Sequence, residues 1–373
     1  MSIELNPFVY DDPLPPDELV DREPETEQLR RLAEGGHNTR LQAPRRYGKT
    51  TLLGKVRSEA EKIGMNTVYV DFYRAITLAE VSRRIEEAYL DALAGAPRRA
   101  VAAATRRWRG KVIVAPGGVG GEVEPVKSDE QQRLSDMLDL PKKVFERSGA
   151  RTLVVFDEFQ DLLRMSSDVD GLLRSKIQFH RDEASYIFAG SEPGMLNALF
   201  GDRQRPLFDQ ARPIALDPLR DEDLLDFIGE RFERAERDPG EALDATLDLV
   251  RGHPQRAMLF AHHLWEQTPR RETADLETFE RVLTSIDRET TPAFEQLWQD
   301  LAYKPNQRKA LAALASSEET LYNRRTLEAY GLGKGSAENA VSALVDLGVV
   351  QRSDPGFLVV DPLLERWLRR TQR

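Results

Sequence analysis

The run TRLQAPRRYGKTTLLGKV, residues 39–56, constrains the fold more than any other part of the chain. A short apolar-alternating stretch meets a turn containing Pro44 and Gly48, then passes directly into helical periodicity. A strand that feeds a helix through a tight turn is the opening unit of a parallel α/β sheet. Three further runs, NTVYVDF, RTLVVFDEF and ASYIFAGS, are apolar and largely β-branched or aromatic, as strands buried on both faces must be. The expectation is a four-stranded parallel sheet covered by helices.

The rest of the chain divides around that sheet. An extended, proline-rich leader occupies residues 1–20, and the sheet domain runs over 21–219 with an insertion at about 95–128. Within the insertion, APRRAVAAATRRWRG reads as a basic helix and KVIVAPGGVGGEVEPVKS as a glycine-turned hairpin. Residues 220–294 read as a helical domain. Residues 295–373 give two helices around a glycine-containing turn and then two short strands about SDPG, the order of a winged helix-turn-helix.

Composition removes several classes of function. The chain of 373 residues has no cysteine, and its five histidines are too scattered for a zinc site. The adjacent His262 and His263 point in different directions on a helix and suit structural roles. No apolar run approaches the ~20 residues that span a bilayer, so a soluble cytoplasmic protein without membrane contact is expected. The net charge of −10 argues against a cationic coat for nucleic acid. The charge is unevenly spread, however: residues 301–373 carry eleven basic against eight acidic side chains.

The turn at residues 43–51 has the chemistry of a phosphate-binding loop. Backbone N–H groups at a helix N-terminus converge on an anion, where the helix dipole also favours negative charge. Gly48 permits close backbone approach, Lys49 reaches the β and γ phosphates, and Thr50 offers a hydroxyl to Mg²⁺. Ala43 stands where such loops usually have glycine. It is tolerated at negative φ, whereas a positive φ would cost about 1 kcal/mol or more. Pro44 stiffens the turn, Tyr47 and Thr51 complete the loop, and Arg45 and Arg46 either face the phosphates or form surface ion pairs.

The run LVVFDE corroborates the loop, because it delivers Asp157 and Glu158 to the sheet edge at which α/β proteins bind ligands. Asp157 is suited to hold the water shell of Mg²⁺, and Glu158 to orient and deprotonate an attacking water. Ser191 ends the next strand and can contact the γ-phosphate or that water. Arg212 either acts on a neighbouring subunit's phosphate or forms a structural ion pair.

Taken in order, VDRE (20–23), APRRYGKTTLL, VVFDEFQDLL, GSEPGML with PLFDQARPIAL, GHP and the terminal winged helix resemble the archaeal-type ATPase family. That family is a branch of the AAA-like P-loop ATPases, which includes nucleotide-switched signal proteins and is related to the Orc/Cdc6 initiators. The resemblance covers nearly the whole chain and implies a P-loop NTPase core, a helical lid and a winged helix. It also implies ATP and Mg²⁺ as ligands, Arg22 near the adenine, a γ-phosphate sensor at Ser191 and a nucleotide-facing Pro254 on the lid. The chain departs from the family at Ala43. It departs again at Asp209 and Gln210, where a Gly-Arg pair is usual and Arg212 is the neighbouring substitute.

Three functions fit these residues. The first is an ATPase switch that couples its ATP/ADP state to a protein partner through residues 295–373, with homo-oligomerisation left open. The second is an initiator-like ATPase that uses the winged helix on duplex DNA. Its expected reading helix, SAENAVSALVDL, has Glu338 and Asp346 but neither arginine nor lysine, which favours a protein partner. The third is a non-hydrolysing ATP clamp, which would not need Glu158.

Overall fold

A computed structural model describes residues 5–108, 127–165, 169–317, 319–353 and 356–371. After the leader come α1 (Glu23–Glu34), β1 (Thr39–Gln42), α2 (Lys49–Lys62), β2 (Asn66–Asp71) and α3 (Leu78–Ala92). They are followed by α4 (Gly95–Thr105), α5 (Lys127–Leu138), α6 (Leu140–Ser148), β3 (Thr152–Asp157) and α7 (Phe159–Met165). Next are α8 (Val169–Ile177), β4 (Ala184–Gly190), α9 (Pro193–Gly201) and β5 (Arg212–Ala215). The expected hairpin lies outside the described residues, apart from Lys127 and Ser128, which open α5.

Among the described residues the sheet has five parallel strands in the order β2-β3-β4-β1-β5. Period-two alternation distributes the strands between two cores. Leu153 and Val155 of β3 join Ile187 and Ala189 of β4 in the cluster with α1 and α2, while Val154, Phe156, Tyr186 and Phe188 face the opposite cluster. Both strands are buried throughout, which explains their continuous apolar runs. The fifth strand was not expected. In Arg212–Ala215 only Ile214 is buried, and Pro213 is acceptable because β5 is an edge strand.

The second half is helical: α10 (Asp221–Arg234), α11 (Gly240–Val250), α12 (Pro254–Gln267) and α13 (Leu276–Asp300). The winged helix comprises α14 (Pro305–Ser316), α15 (Arg324–Ala329), α16 (Lys334–Asp346), β6 (Val350–Ser353), β7 (Gly356–Val359) and α17 (Pro362–Thr371). Helices α10–α13 and the winged helix share one apolar cluster, running from Leu219 to Leu368. The expected division at 294/295 therefore falls inside α13, a continuous helix that carries Pro292 within it.

The leader is anchored rather than merely laid on the surface. Phe8 is buried in the helical core with its ring 5.6 Å from that of Phe232. Asn6 Nδ2 donates to the His262 carbonyl at 3.0 Å, and the His262 ring pairs with the Phe8 carbonyl at 2.7 Å. His263 lies 3.2 Å from Glu289, so both histidines are structural, as the sequence suggests. No helix among the described residues is long and apolar enough to cross a membrane.

Candidate functional site

The C-terminal ends of β1, β3 and β4 open onto a cavity of about 410 Å³, lined by the loop, the leader, the start of α12, Glu158 and Ser191. This lies within the ~300–1,000 Å³ range of small-molecule sites. Helix α2 begins at Lys49 behind Gly48, whose φ of 78° is left-handed. A Cβ on Gly48 would meet nothing within 4 Å, so the backbone conformation, rather than space, calls for glycine. No side chain caps the first turn of α2, and none of its residues is acidic. Its N–H groups thus present an anion site beside the cavity. Ala43 is fully buried and keeps a negative φ, so the missing glycine brings no backbone strain.

Two carboxylates face Lys49. Its Nζ lies 2.6 Å from Asp157 Oδ1 and 2.8 Å from Glu158 Oε1. Asp157 also accepts the Tyr69 hydroxyl at 2.7 Å and the backbone N–H of Glu158 at 2.8 Å. Burial, followed by the Asp157 charge, raises the Tyr69 pKa, so the phenol remains a donor. Glu158 accepts from Ser191 Oγ at 2.8 Å and from the Gln160 amide. Burial alone would raise the Glu158 pKa, but the Lys49 charge and these hydrogen bonds outweigh it and hold it below the usual value. Glu158 has φ 48°, a strained conformation of the kind concentrated at functional sites.

Val9, Leu14, Leu19, Val20, Leu219, Pro254 and Met258 give the cavity apolar walls, and Asp11 and Asp12 of the leader also line it. Arg22 lines it from a left-handed position that opens α1, its guanidinium spent on Glu25 at 2.9 Å and the Asp217 carbonyl at 2.5 Å. Thr50 and Thr51 also line the cavity, together with Pro44, Arg45, Arg46 and Tyr47. Arg45 and Arg46 make no ion pair among the described residues, which leaves their charges available to the cavity.

The loop also touches the winged helix. Tyr47 is buried, its ring 5.0 Å from His253 of the helical domain, and its hydroxyl faces the side chain of Gln351 of β6. Val360 of the winged helix joins the apolar cluster that holds Ala43 and Tyr47. Arg256 of α12 donates to Asp361 at 3.0 Å through Nε, beside His253. His253 Nδ1 caps α12 by accepting the Arg256 N–H at 3.3 Å, which requires a neutral ring, and burial lowers its pKa to about 4. Beside Ser191, a Cβ on Gly194 of α9 would stand 1.9 Å from the Asp346 carboxylate at the end of α16. Glycine is therefore what lets α16 dock there.

The fold gathers Arg22, residues 44–51, Glu158, Ser191 and Pro254 around one cavity, while Asp157 is buried against Lys49 and Ala43 is fully buried, neither lining it. Arg212 lies elsewhere. It pairs with Thr39 at the start of β1, about three residues and roughly 10 Å from the loop end of that strand, on the opposite sheet edge. It cannot serve this chain's own cavity. Sequence reasoning missed Tyr69, Gln160 and the leader. Gln160 left one signal, the glycine of FAGS, because a Cβ on Gly190 would lie 2.2 Å from Gln160 Oε1.

Known structures share this architecture. The Walker-type ATPase paby2304 of Pyrococcus abyssi superposes with a TM-score of 0.66 at 17% identity, covering 96% of this chain and 99% of that one. The ORC2 protein of Aeropyrum pernix, in its ADPNP-ADP complexes, superposes with a TM-score of 0.59 at 18% identity, covering 97% and 95%. No curated protein sequence matches. Residues 292–370 match a probable winged helix domain. Residues 19–258 match the ATPase domain found predominantly in Archaea, and with that match spanning most of the chain, the protein belongs to this ATPase family.

Proposed function

We propose that the chain is a Mg²⁺-dependent ATPase that works as a nucleotide-driven switch, with residues 21–219 as the ATPase core, 220–294 as the lid and 295–373 as the output domain. One observation carries this reading: Tyr47, part of the phosphate loop itself, is buried against both His253 of the lid and Gln351 of the winged helix. A change in loop geometry must repack both contacts.

In this reading Lys49 turns from the carboxylates to the β and γ phosphates, and the α2 N-terminus holds the same anions. Losing that ammonium raises the basicity of Glu158, which takes a proton from water as its oxygen attacks the γ-phosphorus. The bond from phosphorus to the β-γ bridging oxygen breaks, leaving ADP and phosphate. Ser191, freed from Glu158, senses the γ-phosphate. Mg²⁺, when bound, neutralises charge across the β and γ phosphates, and Thr50 and Asp157 are the side chains that would hold it. Among the described residues no three His, Cys, Asp or Glu side chains cluster to cage an ion by themselves, which suits an ion shared with the phosphates.

A protein partner is favoured over duplex DNA because the exposed face of α16 sets Glu338 beside Asn339 with a single lysine, Lys334, at its start, and because its end rests on α9. Arg212 would act only on the nucleotide of a second copy. The coupling is tested by hydrogen exchange of the full chain with ADP and with ATP. Exchange in α9, α16 and β6 should differ between the two; identical exchange would reject the switch.

A further inference from the structure

We infer that Gln160 is a positioning residue for hydrolysis, holding the Glu158 carboxylate in place while the other groups paired with it turn to the nucleotide; the inference rests on the hydrolytic reading of the site. Glu158 is held at both oxygens: Oε1 by the Lys49 ammonium at 2.8 Å, and Oε2 by the Ser191 hydroxyl at 2.8 Å and by the Gln160 amide. Lys49 and Ser191 line the cavity and are the groups suited to phosphate, whereas Gln160 is 2% exposed and does not line it. Once a triphosphate draws off Lys49 and Ser191, the amide is the one of these three donors left on the carboxylate. It holds Oε2 and leaves Oε1 free to take the proton from water.

The fold fixes that amide. Only the nitrogen of a carboxamide can donate to a carboxylate, so the contact with Glu158 sets which way the group faces. Its Oε1 is turned to Gly190 at the end of β4, where a Cβ would collide with it. Gly190 has no positive φ, so the close approach of the amide, rather than backbone conformation, accounts for glycine there. Phe159, between the two residues at the start of α7, is fully buried with its ring 4.7 Å from that of Phe188 of β4. Glu158 and Gln160 thus project from one corner that aromatic packing holds rigid. The Gln160 Oε1 accepts no hydrogen bond among the described residues, so for packing alone an apolar side chain would serve better. The amide nitrogen on Glu158 is what sets glutamine apart from such a residue.

The test is single-turnover ATP hydrolysis by the full chain, with protein in excess, beside calorimetric affinity for a non-hydrolysable ATP analogue. Gln160→Met keeps the length of the side chain and removes the donor, and Gln160→Leu repeats the test if the first variant folds poorly. Either should lower the rate by at least about tenfold while leaving affinity within about threefold of wild type, as misalignment of a reacting group does. Added to Glu158→Gln, the same substitution should change the residual rate by less than about twofold, because a residue that acts only through the carboxylate has nothing left to hold. A smaller loss in the wild-type background would overturn the inference. So would an equal fold loss in both backgrounds, the mark of a packing role, or a loss matched by equally weakened binding. In each of these cases Glu158→Gln alone would still slow the reaction, and the hydrolytic reading would stand. Hydrolysis undiminished by Glu158→Gln, or absent from the wild type, would overturn both.

Discussion

The ammonium of Lys49 lies 2.8 Å from Glu158 Oε1, so the residue suited to hold phosphates is paired directly with the residue suited to activate water. The same ammonium is 2.6 Å from Asp157, giving one cation to two adjacent acids. This arrangement helps to hold the Glu158 carboxyl below its usual pKa and makes the electrostatics of the strand end depend on where Lys49 points.

Lys49→Ala should therefore do more than remove a phosphate contact. It leaves Asp157, 3% exposed, and its neighbour Glu158 without their cation, at a cost of roughly 3 kcal/mol of stability. ATP affinity should fall by at least a hundredfold, measured by calorimetry on protein shown to be folded by circular dichroism. Unchanged affinity would remove the phosphate-loop assignment.

His253 gives a pH prediction. Its pKa falls from about 6.5 to about 4 on folding because burial disfavours the charged ring. Below pH 6.5 the unfolded chain binds a proton that the folded chain does not, so stability falls as pH falls, and this loss is complete once pH passes below about 4. Between pH 7 and pH 5 the residue should account for about 2 kcal/mol. Urea denaturation of the wild type and His253→Gln at both pH values isolates the effect, since the variant should lose about 2 kcal/mol less. Equal losses would show that the ring does not titrate in this way.

Much of this arrangement was legible in the residues. The buried strands β3 and β4 announced themselves because burial on both faces requires unbroken apolar runs, and the grouping of Gly48 and Lys49 with Asp157 and Glu158 at one sheet edge follows from local order alone. What stayed hidden depended on contacts between distant segments. Tyr69 reaches Asp157 only through the β2–β3 register, which pairs Asp71 with Asp157. Phe8 looks like any apolar residue in a proline-rich leader until the helical core surrounds it. Edge strand β5 has one buried residue and so no apolar signature. Arg212 was singled out by its neighbours in sequence, whereas the parallel pairing of β5 with β1 fixes it at the other sheet edge.

The central claim is that the Asp157–Glu158 strand end turns nucleotide binding into hydrolysis. The most direct measurement is steady-state ATP turnover by the wild type and Glu158→Gln, with ATP affinity measured on the same preparations. The account predicts turnover in the wild type, a fall of at least a hundredfold in the variant, as expected for loss of a general base, and an ATP affinity changed by less than about threefold. Turnover in the variant within a few-fold of wild type would contradict the account, as would tight ATP binding by a wild type that hydrolyses none of it.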